Sequence, residues 1–203
     1  MINIVEIKNA DENYHQVFTQ HFIEKQNEDF CFIIESQDDS YSHGHLGCGR
    51  VDTSVLDLPI HSCKRKGCGV YTGNGTFLVG LSIIQWANAG LIDKKNFIFF
   101  SRFFKDCFSI NLDKPKPALP FSIKGRGLIH FGYSRDENTD RSIKEMMIPI
   151  TSDARKKNEV VKPGILIPTS LEDEGIMITH EELSKIFKEY TADYFKQQIG
   201  MIE

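Results

Sequence analysis

What this 203-residue chain lacks sets its first limits. No apolar run approaches the roughly 20 residues needed to span a bilayer. The Phe-rich stretch 97–108 is broken by Ser101, Arg102, Lys105 and Asp106. Residues Met1 to Lys8 carry Glu6 and Lys8 and show no basic segment followed by an apolar one, so no signal peptide is expected. A cationic excess is missing as well: 24 Lys and Arg stand against 28 Asp and Glu, for a net charge of −4. Nucleic-acid binding needs clustered Lys and Arg, which argues against that class. The densest basic runs, Lys64-Arg65-Lys66 and Arg155-Lys156-Lys157, read as solvated loops. Cysteines number five, an odd count that forms no paired framework. Reduced thiols in a cytoplasmic protein are the simplest reading, with export that needs no cleavable signal left open. There is no Walker loop, no G-x-G-x-x-G opening a helix and no G-x-S-x-G elbow. Gly125-Arg126-Gly127 reads as a bend between two strands. Internal repeats and low-complexity tracts are absent too.

What is present suits one domain over residues 1–203, long enough to bury a core without disulfides. Hydrophobic residues make up 40% of the chain, and its 15 Phe dominate the core inventory. Strands are expected at 2–8, 30–34, 54–58, 70–72, 96–100, 121–124, 127–133, 144–148 and 164–167. Asp11 can cap a helix through Tyr14, Val17, Phe18 and Phe22. Phe77, Leu81, Ile84 and Asn88 have helical spacing up to Gly90, so a helix is preferred there over a strand through Val79. Arg102–Phe108 reads as a short helix. Residues 113–120, with Pro115, Pro117 and Pro120, read as an exposed connector and the one candidate hinge. Thr179-His180-Glu181-Glu182 is a capping box ahead of an apolar stripe of Leu183, Ile186, Phe187, Tyr190, Tyr194 and Phe195. Acidic Leu171–Glu174 reads as solvated loop. The middle strands are not separated by regular helices. The expected class is therefore α+β, with a mixed or mainly antiparallel sheet and three or four helices, the C-terminal one amphipathic.

The densest chemistry lies in residues 43–68, where His43, His45, Cys48, His61, Cys63 and Cys68 gather three of the seven His and three of the five Cys. Glycines 44, 47, 49, 67 and 69 imply unusual backbone there. Zinc takes four thiolate or imidazole ligands, which arrive in close pairs. The six side chains offer His45/Cys48 or His43/Cys48 with Cys63/Cys68, and His61 alternates with Cys63. Zinc is thus one expectation, although the spacings match no standard finger. A thiol nucleophile with an imidazole base is the other. Cys48 has small neighbours, His61 lies one candidate strand further on, and Asp57, Asp52 or Thr53 could orient the imidazole.

The stretch Leu46 to His61 resembles the spacing of bacterial Cys–His glutamine deamidases and related thiol enzymes. A second pairing, Cys68 with His130 in Leu128-Ile129-His130-Phe131-Gly132-Tyr133, resembles the arrangement of papain-like thiol hydrolases. Cys31 and Cys107, set among Phe, read as small buried hydrophobes. His15, His21 and His180 read as ordinary helix residues, and Trp86 as core. The expected function is a Cys/His-dependent hydrolase or deamidase acting through residues 43–68. The alternative is a zinc-stabilised or metal-free protein-binding module without catalysis, such as an inhibitor, immunity or virulence factor. Either would meet a protein partner or protein substrate, with no nucleic acid and no membrane.

Overall fold

The computed structural model describes residues 2–8, 21, 24–25, 27–36, 39–44, 58–63, 70–88, 92–116, 119–135, 141–161 and 166–199. Nine strands are described: β1 (Ile2–Ile7), β2 (Asp29–Ile34), β3 (Ser40–Gly44), β4 (Ile60–Cys63), β5 (Val70–Thr72), β6 (Thr76–Ser82), β7 (Phe121–Ile123), β8 (Arg126–Arg135) and β9 (Ser142–Pro149). Four helices accompany them: α1 (Ile84–Asn88), α2 (Ile92–Phe108), α3 (Ser152–Val161) and α4 (His180–Ile199). The larger sheet has six strands in the order β1-β2-β6-β9-β8-β7, and the smaller has three, β4-β3-β5. Only β1–β2 is parallel in the larger sheet, so the α+β, mainly antiparallel expectation holds.

The central strands are buried on both faces. On one face Cys31, Ile33, Phe77, Val79, Met146 and Ile148 pack under α2 and α4. On the other lie Phe30, Phe32, Ile34, Leu78, Ile143 and Met147. This double burial corrects one expectation. Residues 76–82 are strand, not helix, because every side chain of Thr-Phe-Leu-Val-Gly-Leu-Ser is buried between β2 and β9. Helix begins only at Ile84, whose backbone N–H donates to Asp29 Oδ1 at 2.9 Å. Asn96–Phe100 is helix, not strand: Phe99, Phe100, Phe103 and Phe104 recur three and four apart and form the buried stripe of α2. Helix α3 was not expected at all. Its Arg155 and Lys157 are not loop cations, since Arg155 Nε pairs with Asp173 at 2.9 Å and Lys157 Nζ with Asp39 at 2.7 Å. Nor is 171–174 simple loop. It forms a 3₁₀ turn, and Glu174 is a buried carboxylate that receives Arg126 at 2.6 Å and Thr169 at 2.9 Å. Residues 166–167 are not strand, although Pro168 bridges Gly127. Of the expected helix from Asp11 only its end is described, with His21 and Glu24 helical and Lys25 N donating to His21 O at 3.0 Å; all but Leu58 of the expected strand 54–58, and Gly90, lie outside the described residues.

The capping box forms: Glu182 Oε2 accepts from Thr179 N and Oγ1, both at 2.9 Å, and Thr179 Oγ1 accepts from Glu182 N at 3.2 Å. Next to it, His180 sits against the Phe77 ring at a centroid distance of 5.4 Å. Burial holds its pKa below the ordinary 6.5, and Glu35, Glu6 and the Ile34 backbone offset this only in part. The position, first in a helix, also disfavours a cation. Between its folded and unfolded pKa values the unfolded chain binds more protons, so stability rises with pH there. Unfolding midpoints are therefore expected to fall as pH drops below 6.5, and His180→Gln should flatten that slope. A slope unchanged in the variant would assign it to other groups.

Asp113, at the start of the 113–120 connector, is bonded to the β7–β8 hairpin. Asp113 N donates to Ser122 O at 2.8 Å, and the Asp113 carboxylate accepts from Ser122 Oγ, Lys124 N and Gly125 N at 2.9, 3.2 and 2.8 Å. These donors, the Gly125 N–H foremost, hold its pKa below the ordinary carboxylate value. These bonds tie the start of the connector to the β7–β8 hairpin.

Candidate functional site

The face of the larger sheet turned away from α2 and α4 is an apolar floor into which His130 and Glu145 are set, with the Arg141 guanidinium 5.7 Å over its Phe30 ring. Its residues come from every second position of five strands, and the register aligns them in rows. One row runs Val5, Phe32, Gly80, Glu145, Gly132 across β1, β2, β6, β9 and β8. The next runs Ile7, Ile34, Leu78, Met147, His130. Glu145 thus lies between two glycines, diagonally adjacent to His130 on the neighbouring strand. Both are buried, at 1% and 3% exposure. Charged groups are rarely placed in such surroundings without a chemical role or a specific partner. Phe30 and Phe32 stack at 5.7 Å, and the His21 ring meets each of them edge-on at 5.8 Å. At Gly80 a Cβ would come within 2.5 Å of Ile143 Cδ1, so the missing side chain is what lets Ile143 lie across the strand.

The small sheet continues from this floor through the turn between β5 and β6. Tyr71, fully buried, donates to Asp39 Oδ1 at 2.5 Å, and Lys157 Nζ donates to Tyr71 Oη at 3.2 Å as well as to Asp39. Burial and the Asp39 carboxylate push the Tyr71 phenol up. Hydrogen bonding to Asp39 does the same to the Lys157 ammonium, against its burial. Burial alone would raise Asp39, but Lys157 and Tyr71 outweigh it and hold the carboxylate low. All three groups keep their ordinary charges, so this cluster ties α3 to β5 and offers no proton near neutrality.

A concavity of about 330 Å³ opens beside the β7–β8 hairpin. It is lined by Lys114, Lys116 and Lys124 together with Leu119, Pro120 and Leu166.

Three residues of the Cys/His window lie on described strands of the smaller sheet. His43 lies on β3, and His61 and Cys63 on β4, with the two strands side by side and parallel. The register sets His43 opposite Ser62, His61 opposite Ser42 and Cys63 opposite Gly44. His45, Cys48, Asp57 and Cys68 lie outside the described residues. His130 lies on β8 of the larger sheet, not on the sheet that carries the window.

No family model and no curated protein matches the chain. Solved structures do. The chain is similar to P. falciparum LipL1 in complex with lipoate, with a TM-score of 0.74 at 13% identity over 98% of this chain. It spans 63% of that protein. It is similar to lipoate-protein ligase A bound with ATP, with a TM-score of 0.72 at 7% identity, covering 96% of this chain and 85% of that one. It also resembles the bi-partite lipoate protein ligase of Thermoplasma acidophilum, described with its E2 lipoyl domain, with a TM-score of 0.67 at 8% identity over 96% of this chain and 83% of that one.

The fold resembles that of the lipoate-protein ligases.

This likeness corrects the functional expectation. The expectation of a Cys/His hydrolase or deamidase, with that of a module without catalysis, is not supported: the solved structures that share this fold are lipoate-protein ligases. Zinc is overturned with them. The matched ligases hold lipoate and ATP, and among the described residues no group of three or more His, Cys, Asp or Glu could hold a metal ion. The density of Cys and His misled because it is a property of one segment. The candidate floor is assembled from strands far apart in sequence. Its local signals were a charged pair, Lys144-Glu145, inside an apolar strand, and glycines in the interiors of β6 and β8. Cys31 is, as expected, an inert core thiol, fully buried, with its pKa raised out of reach by burial. No described helix is long and apolar enough to cross a membrane.

Proposed function

We propose that the chain activates a short apolar carboxylic acid of the lipoate type and joins it to a lysine of a protein acceptor. The observation that carries this reading is the likeness, over 98% of the chain, to a protein that holds lipoate. The apolar floor supports it, since such an acid is a hydrocarbon tail ending in one carboxylate. Phe32, Ile34, Leu78 and Met147 offer the tail a dry surface, and His130 and Glu145 lie where that surface becomes polar.

A carboxylate and an ammonium do not condense in water unaided, so the carboxylate must first gain a leaving group. ATP, which a protein of this fold holds, supplies one. The carboxylate oxygen attacks the α-phosphorus, and the bond to pyrophosphate breaks. The lysine amine then attacks the acyl carbon, the C–N bond forms and AMP leaves with the electron pair. The ammonium proton passes to a base. A floor that excludes water protects the acyl phosphate from hydrolysis. In this reading His130 is assigned to orienting the carboxylate and Glu145 to taking the proton, because they are the buried imidazole and carboxylate on this face.

The test combines the purified protein, lipoate, ATP and an unmodified E2 lipoyl domain, with intact-mass spectrometry of the domain. A mass gain equal to one lipoyl group, dependent on ATP and on the acceptor lysine, is the expected result. Transfer from a lipoyl thioester without ATP would keep the acceptor but replace the activation step. No transfer from either donor would overturn the proposal.

A further inference from the structure

We propose that the cleft beside the β7–β8 hairpin is the surface on which an acidic face of the acceptor protein docks; this rests on the ligase reading above. The chain as a whole is acidic, with a net charge of −4, yet Lys114, Lys116 and Lys124 line this cleft against a single carboxylate, Asp113. That carboxylate is already occupied by Ser122 Oγ and two backbone N–H groups. Lys114, Lys116 and Lys124 are all exposed. Among the described residues, Lys114 and Lys116 make no ion pair, and Lys124 reaches Glu174 at 3.7 Å while its side chain stays 79% exposed.

Backbone hydrogen bonds hold described parts of both walls of the cleft, which lowers the ordering cost of docking a folded partner. Asp113 pins one wall to the hairpin. The other wall is held by Gly127 N donating to Ile167 O at 2.9 Å and Thr169 N donating to Gly127 O at 2.8 Å. Those bonds present Ile167 outward at 69% exposure, directly after the lining residue Leu166. Positive charge around an exposed aliphatic side chain on rigid backbone suits an acidic protein surface with an apolar contact at its centre.

Position completes the argument. A Cβ built on Gly127 would lie 3.3 Å from Pro120 Cβ, which lines the cleft, and 3.6 Å from His130 Cε1, which ends the floor. One glycine thus separates the docking surface from the site where acyl transfer would occur. An acceptor seated in the cleft needs only a short reach to present its lysine beside His130.

The experiment uses the full chain and an unmodified E2 lipoyl domain with an acidic face. Its affinity is measured by calorimetry at low and moderate salt, and acid-dependent pyrophosphate release is followed without acceptor. Lys114→Glu/Lys116→Glu should weaken domain binding about tenfold or more and flatten its salt dependence, with pyrophosphate release unchanged. Lys114→Arg/Lys116→Arg should bind as the parent does, and Ile167→Ser should weaken binding without altering the salt slope. Unchanged affinity in the charge-reversed protein would overturn the proposal. So would an equal loss in the Arg variant, which would point to fold and not charge. If the parent releases no pyrophosphate but binds the domain in a lysine-dependent, salt-sensitive way, the activation chemistry fails and the docking surface stands.

Discussion

Phe187→Ala is expected to lower the unfolding free energy by about 3–5 kcal/mol. Phe187 is fully buried on α4. Its ring meets Phe77 of β6 at 5.4 Å and Phe99, Phe100 and Phe103 of α2 at 5.8, 5.9 and 5.1 Å. It is the point where the sheet, α2 and α4 all touch. Truncation removes the transfer energy of the ring, leaves a cavity and cancels several edge-on aromatic contacts. A loss of that size is a large share of the roughly 5–15 kcal/mol that keeps a domain folded. Urea titration provides the check: the midpoint should fall with the slope unchanged. Phe187→Leu, which keeps most of the volume, should recover more than half of the loss. A change under about 1 kcal/mol for Phe187→Ala would mean that the neighbouring rings collapse into the space.

His130→Phe is expected to reduce acyl transfer by about 100-fold or more with little change in thermal midpoint. Phenylalanine fills a comparable volume in a strand that is already apolar around it, while removing the imidazole. Glu145→Gln keeps the shape and the capacity to hydrogen-bond but loses the charge, so a comparable fall is expected there. The two should separate kinetically. If His130 orients the acid, its variant should raise the KM for lipoate and slow pyrophosphate release even without acceptor. If Glu145 takes the proton from the incoming amine, its variant should leave pyrophosphate release intact and lower only the transfer step. Near-normal turnover in both variants would remove the floor from the reaction. A collapsed thermal midpoint in both would show that the pair is structural.

Much of the architecture was legible from local pattern. The strands at 2–7, 29–34, 121–123, 126–135 and 142–149 and the C-terminal helix appear where alternation, β-branched residues and the Thr179–Glu182 capping box place them. The failures share a cause. Phe77–Leu81 and Phe97–Phe100 are both short runs without a charged or strongly polar residue, and periodicity does not distinguish a doubly buried strand from a buried helix there. The answer came from partners distant in sequence: β9 flanks the first run, and the α4 rings cover the second. Helix α3 escaped because its stripe is weak and it is held by the ion pairs of Arg155 and Lys157, which sequence alone does not reveal. The candidate site was hidden more deeply. Glu145, His130, Gly80 and Gly132 lie up to 65 positions apart in the chain and meet only through strand register. By contrast, the conspicuous Cys/His segment announced itself by composition alone.

The small sheet joins the rest of the molecule through the tight turn after β5 and through the Asp39–Tyr71–Lys157 contacts to α3. Its described interior is Tyr41, Tyr71 and Ala154 with Leu58 alongside. Polar ties of this kind open more readily than a packed apolar core. The strands that carry His43, His61 and Cys63 are therefore expected to loosen before the larger sheet does, so thiol accessibility there would report on this annex and not on the fate of the whole protein.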